Sequence, residues 1–279
     1  MSRIYFPIPY RTYVLFSFLT AMDKPEIEHS LMDHVYTKDM VIRFSETDNR
    51  GRLKVVSLFD CFQDVASQHA LSLKLSGRDL MTRNYTWVIL KYNVRITKLP
   101  KWNVPVTVRT WRYPHKNLYE LRELDLMDDK GNMLVRALSC WVMMDLTSRK
   151  PVRLGRFIPP DLMENQRPVE DDFSKQDPLL SHDRELSFRV RMQDIDYNNH
   201  VNNSVYVGWA VETVPADIHR DYTLSRIEVA YKNEIAYGHR IHSRIRKEAG
   251  NGEWVFHHSI TGGDHHTELT RLKTTWIKG

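Results

Sequence analysis

The chain has 279 residues, 42% hydrophobic and 27% charged, which is enough to bury a sizeable core in two ordinary domains and excludes a disordered or fibrous protein. Its net charge of +5 suits an acidic partner, but no zinc-finger spacing, basic heptad region or ribonucleoprotein motif accompanies it, so nucleic acid is not the expected one. Two cysteines, Cys61 and Cys140, are too few for a disulfide framework and fit a reducing, cytoplasmic setting.

At the N-terminus, Arg3 and Arg11 precede an apolar run from Tyr13 to Leu19. Pro7, Pro9 and the lack of a small-x-small cleavage site argue against a secretory signal. Residues 1–36 are expected to be a poorly ordered extension, with Met22 or Met32 as alternative starts. No apolar run reaches the roughly 18 residues of a membrane-spanning helix. Thr37 to Phe44 reads as a first strand. Between Gly51 and Gly77 there is neither Gly nor Pro, and Val55, Leu58, Phe59, Phe62, Val65, Ala66 and His69 recur at helical spacing, predicting one long helix with a buried stripe. Strands are expected over Trp87–Arg95, Val104–Arg112, Leu118–Met127 and Met133–Asp145, the last two joined by a turn at Asp128–Asn132. A long helix followed by antiparallel strands is an α+β pattern.

From Leu146 to Glu185 the chain turns polar and is punctuated by Pro151, Gly155, Pro159, Pro160, Pro168 and Pro178, as a linker would be. The first pattern then begins again. Arg43-x-x-Glu46-x-Asp48 lies over Arg191-x-x-Asp194-x-Asp196 at an offset of 148, and Ser139-Cys140-Trp141-Val142 over Thr274-Thr275-Trp276-Ile277 at an offset of 135. Such a repeat divides the chain into domains at 37–150 and 186–279 with a linker at 151–185.

The second copy carries what the first lacks. Asp194-Ile195-Asp196-Tyr197-Asn198-Asn199-His200-Val201-Asn202-Asn203 crowds carboxylates, amides and an imidazole into a polar loop ahead of an apolar, helix-like segment. Asn202 or Asn203 is a suitable N-cap for that helix, whose first N–H groups can stabilise a developing negative charge. Asp196, Asn198 and His200 alternate, so in an extended loop all three point the same way. The first copy has Arg50, Gly51 and Arg52 where the second has Asn198, Asn199 and His200. Asp194, matched by Glu46, reads as a structural cap.

Together with Tyr206-Val207-Gly208-Trp209 and Glu212, this segment resembles the active-site segment of acyl-acyl-carrier-protein thioesterases. The resemblance implies two tandem hot-dog domains, each an antiparallel sheet wrapped around a long helix. It also implies hydrolysis of fatty acyl thioesters of acyl carrier protein to free fatty acid, which ends fatty acid synthesis. It adds Glu234, in a strand expected over Ile227–Ile235, to the catalytic set of Asp196, Asn198 and His200. In one version Glu234 and His200 activate a water, Asn198 holds the carbonyl or that water, and Asp196 orients the set. In the other, Asp196 is the nucleophile and forms a transient anhydride. A cysteine nucleophile directly after the acidic residue, once ascribed to the family, is excluded by Ile235.

By the same resemblance the first copy supplies most of the acyl pocket, with the Phe59/Phe62/Val65/Ala66 face of its helix as a wall. The acidic carrier protein is the implied partner, and phosphopantetheine belongs to the substrate, so no cofactor is expected. The basic clusters Arg240, Arg244, Arg246, Lys247 and Arg149, Lys150, Arg153 are docking candidates. His257-His258 and His265-His266 suggest a metal, but neighbouring strand residues face opposite ways, and no metal site is expected. The chain suits either a monomer or a homodimer. Two other functions fit the pattern: an acyl-CoA thioesterase of the same fold and a non-catalytic acyl-binding module.

Overall fold

A computed structural model describes residues 35–163, 173–250, 252–263 and 267–279. Most of the segment expected to be a loose extension lies outside them, as does His265-His266. Strands β1 (Val35–Val41), β2 (Tyr85–Ile96), β3 (Pro105–His115), β4 (Tyr119–Asp128) and β5 (Met133–Asp145) come from the first copy. From the second come β6 (Arg184–Arg189), β7 (Tyr222–Tyr231), β8 (Arg240–Ala249), β9 (Glu253–Gly262) and β10 (Thr267–Lys278). They form one antiparallel sheet in the order β1-β3-β4-β5-β2-β7-β10-β9-β8-β6. The order is the same when read outward from the central β2–β7 pair, where Lys91 faces Ala230 and Arg95 faces Arg226. The repeat in the sequence is therefore a repeat in the sheet.

One face of each half-sheet wraps a helix. Helix α1 (Val55–Ser72) buries Leu58, Phe59, Phe62, Val65, Ala66 and His69, the expected stripe. After it come the short α2 (Gly77–Met81), capped reciprocally by Ser76 and Asp79, and α3 (Pro160–Met163). Helix α4 (Asn203–Glu212) buries Ser204, Tyr206, Val207, Trp209 and Ala210, and α5 (Ala216–Asp221) follows it. The two long helices meet where a Cβ on Gly208 would lie 3.1 Å from Val56 Cγ2. One apolar core runs through both copies, from Phe62 and Leu124 to Val207 and Phe256.

The proline-rich connection is anchored at its start. Leu154 and Ile158 are buried with Leu75, Leu80 and Met143 in a second small core, and Asn117 Oδ1 accepts from Gly155 N at 2.8 Å. Among the described residues no helix is long and apolar enough to cross a membrane.

Candidate active site

The loop between β6 and α4 is built by backbone bonds that the first copy repeats. Ile195 bridges Val201 as Thr47 bridges Leu53. Asp196 N donates to His200 O at 2.8 Å as Asp48 N donates to Arg52 O at 2.7 Å. Asn199 and Gly51, which correspond, take φ of 68° and 69°, a left-handed turn that Gly and Asn tolerate best. Asp194, the third residue of a one-turn helix whose N-cap is Arg191, reaches back to accept from Arg191 N at 2.8 Å, as Glu46 accepts from Arg43 N at 2.8 Å. Asp194 is thus the structural cap that its counterpart suggested.

The loop is not extended, so the alternation argument fails in its stated form. Asp196 makes an Asx-turn: its Oδ1 accepts from Asn198 N at 2.8 Å, as Asp48 Oδ1 accepts from Arg50 N at 2.8 Å. The tight turn still brings Asp196, Asn198 and His200 to the wall of one cavity of about 510 Å³. Asn202 caps α4 by accepting from Ser204 N at 3.1 Å.

Glu234 reaches the same cavity from a different position than expected. Strand β7 ends at Tyr231, and Glu234 lies in the irregular stretch beyond it, tethered by Lys232 N and Asn233 N donating to Leu269 O. Its Oε2 stands 3.1 Å from His200 Nε2. That oxygen also receives Arg149 Nη2 at 3.1 Å. Arg149, read above as a docking cation, therefore belongs to the site. It comes from the first copy, at φ 55° in the turn after β5. Ile235 N–Cα–C backbone continues the frame, its carbonyl accepting from Val201 N at 3.4 Å, as Pro100 O accepts from Leu53 N. By that correspondence Glu234 faces Leu99 in the first copy, which keeps the aspartate of the set and none of the other three residues.

The cavity meets α1 through Gln63, Ala66, Ser67 and Ala70. Of the expected wall only Ala66 takes part, because Phe59, Phe62 and Val65 turn into the shared core. Tyr206 and Tyr231 close the cavity near the loop. Burial pushes the Tyr206 hydroxyl well above its ordinary range, and the nearby Glu234 and Asp196 carboxylates add to the shift. Tyr206 is therefore a neutral hydrogen-bonding wall.

The described histidine pair, His257-His258, does not gather. His257 meets Glu248 at 2.9 Å while His258, on the opposite face, is buried against Thr274 Oγ1 at 2.9 Å. Among the described residues no three His, Cys, Asp or Glu side chains stand close enough to hold a metal ion. Of the other basic candidates, Arg244 is occupied by Glu185.

Comparison with known proteins identifies the family. The acyl-ACP thioesterase N-terminal domain profile matches residues 33–164 and the C-terminal domain profile residues 179–278. A dodecanoyl-[acyl-carrier-protein] hydrolase of Cinnamomum camphora is 26% identical over 277 residues, covering 91% of this chain and 72% of its own length. An acyl-[acyl-carrier-protein] hydrolase of Cuphea viscosissima is 29% identical over 215 residues, covering 72% of this chain and 52% of its own length. This chain thus spans about half to three quarters of such relatives. Among solved structures, a 12:0-ACP thioesterase of Umbellularia californica superposes with a TM-score of 0.78 at 24% identity, over 88% of this chain and 95% of that one. An acyl-ACP thioesterase of Bacteroides thetaiotaomicron gives 0.71 at 22% identity, over 87% and 98%. With both profiles matched in order along a duplicated sheet, the chain belongs to the acyl-acyl-carrier-protein thioesterase family.

Proposed function

We propose that this chain hydrolyses fatty acyl thioesters of acyl carrier protein, with Glu234 and His200 activating the attacking water. The observation that carries this reading is the 3.1 Å contact between His200 Nε2 and Glu234 Oε2 at the wall of a cavity that also holds Asn198 and Asp196. The acid–imidazole pair takes a proton as the water oxygen bonds to the thioester carbon. Asn198 Nδ2 lies 3.4 Å from Asp196 Oδ2, a long contact that leaves an amide hydrogen for the carbonyl oxygen as it becomes an oxyanion. The C–S bond then breaks, and His200 returns the proton to the departing thiolate.

Asp196 supports this role as the carboxylate that shapes the turn, since Asp48 does the same in a copy without the imidazole, the amide or the second acid. The substrate arm ends in phosphopantetheine, so the reaction calls on no cofactor of the protein's own. The test is thiol release from acyl carrier protein and acyl-CoA thioesters. The reading expects turnover on the carrier-bound chain, higher than on the CoA thioester, and its loss in Glu234→Ala. Equal release by wild type and Glu234→Ala would sink it. Asp196→Asn keeps the acceptor that closes the turn and removes the charge. Measurable turnover without an acyl-enzyme burst is expected of this variant, whereas an aspartyl anhydride route would stop altogether.

A further inference from the structure

On its sheet side the cavity is lined by buried charge as well as by hydrocarbon. Across the inner face of the first half-sheet, Tyr92, Ser139, Arg122 and Arg112 stand in register on β2, β5, β4 and β3. Arg122 and Glu120 are buried, at 4% exposure each, and both line the cavity. Beyond this belt lies the apolar core of Val94, Ala137, Leu124 and Val108. Arg122 Nη1 is engaged by His69 Nδ1 at 3.0 Å and Thr110 Oγ1 at 3.2 Å. Its Nη2 stands 3.7 Å from Glu120 Oε1, outside hydrogen-bond reach. The other oxygen of Glu120 pairs with Arg112.

The second copy shows that the fold does not require these charges. Arg122 faces Ser139 on β5, and the equivalent Thr274 on β10 is faced by Phe256. Glu120 faces Trp141, and the equivalent Trp276 is faced by Trp254. Even the polar detail is repeated, with Trp141 Nε1 donating to Ser139 Oγ at 2.9 Å and Trp276 Nε1 to Thr274 Oγ1 at 3.0 Å. The same sheet position thus accepts a buried phenylalanine, 1% exposed. A buried ion pair is commonly no more stabilising than apolar residues of similar size, and often less. Burial presses the Arg122 guanidinium down to about 10, the direction expected of a cation taken out of water.

We propose that this floor is a subsite for a hydroxyl on the distal part of the acyl chain, so that the preferred substrate is a hydroxylated acyl thioester rather than a plain alkyl one. The inference rests on the thioesterase reading of the same cavity. A hydroxyl oxygen placed between the two side chains accepts from Arg122 Nη2 and donates to Glu120 Oε1, satisfying both in a way that a methyl end cannot. Strands lie about 4.8 Å apart, and β4 is three strands from β7, beyond whose end Glu234 lies. The floor is thus about 14 Å across the sheet from the thioester site, far from the carbons next to the carbonyl.

The test uses the intact chain and carrier-protein thioesters of one chain length in three forms: plain alkyl, hydroxylated at the terminal carbon, and hydroxylated at the third carbon. The subsite predicts kcat/KM about tenfold or more higher for the terminal hydroxyl than for plain alkyl, the factor that a buried hydrogen bond to a charged group brings, and no gain at the third carbon. Arg122→Met should erase the preference, bringing kcat/KM for the terminal hydroxyl to that for the plain chain in the same variant. Should that variant not fold, calorimetric binding of free terminally hydroxylated against plain fatty acid to wild type gives the same comparison, with tighter binding of the hydroxylated acid expected. Equal turnover of terminal-hydroxyl and plain chains by wild type overturns the subsite and leaves the thioesterase reading intact. If no thioester is cleaved, the thioesterase reading fails, and the binding comparison then decides the subsite by itself.

Discussion

Glu234 Oε2 holds two partners at once, His200 from its own copy and Arg149 from the other. Glu234→Gln and His200→Ala should each lower kcat by about 10²- to 10⁴-fold, the range of general acid–base catalysis. Both side chains are more than a third exposed, so circular dichroism and Tm should stay near wild type. Arg149→Ala frees the carboxylate to rotate and should lower kcat by up to about 100-fold with KM little changed; Arg149→Lys should recover most of the loss. Equal kcat in Arg149→Ala and wild type would leave the arginine without a positioning role. These residues differ in how legible they were. Asp196, Asn198 and His200 lie within five positions, so composition alone exposed them. Glu234 emerged only through resemblance, and its strand was overextended because Asn233, a lone turn residue between Lys232 and Glu234, is a weak stop signal, whereas the strand ends at Tyr231. Arg149 was invisible as a site residue: its contact spans 85 residues and depends on a left-handed turn.

The helices owe their placement to one another as much as to the sheet. Gly208 leaves room for Val56, and Gly208→Leu should destabilise the fold by about 1–3 kcal/mol through overpacking, read as a lower urea midpoint. Phe62→Ala, at the fully buried centre of α1, should cost about 3–5 kcal/mol. The helical stripe of α1 was legible because 3.6-residue spacing survives any tertiary context, and the β4 and β5 strands because a turn-rich Asp128–Asn132 separates them. The polar belt was also present in the sequence: Glu120 and Arg122 fall in phase with Leu124 and Leu126. Alternation places them inward, and charges in an inward phase are the signal of a lined cavity.

At the scale of the molecule, the shared core and the β2–β7 pairing join the two copies. A single cooperative unfolding transition is expected, with calorimetric and van't Hoff enthalpies in agreement; two resolved transitions would contradict it. Stability should also depend on pH through His258. Burial, with a smaller push from His257, lowers its pKa from 6.5 to about 3. Between these values the unfolded chain binds a proton that the folded chain refuses. The contribution is therefore full above about pH 6.5 and declines as pH falls toward 3, by about 1.4 kcal/mol per unit. His258→Phe should flatten that slope in urea melts across the window.

The turn at Asp48 supplies a reference inside the same polypeptide for the turn at Asp196. Its aspartate carries the bend under the same backbone bonds, ion-paired with Arg52 at 3.0 Å, in a copy that lacks the imidazole, the amide and the second acid. Whatever Asp48→Asn costs in Tm estimates the architectural worth of the carboxylate. A loss of turnover in Asp196→Asn that Asp48→Asn does not share measures its chemical worth, with each molecule serving as its own blank.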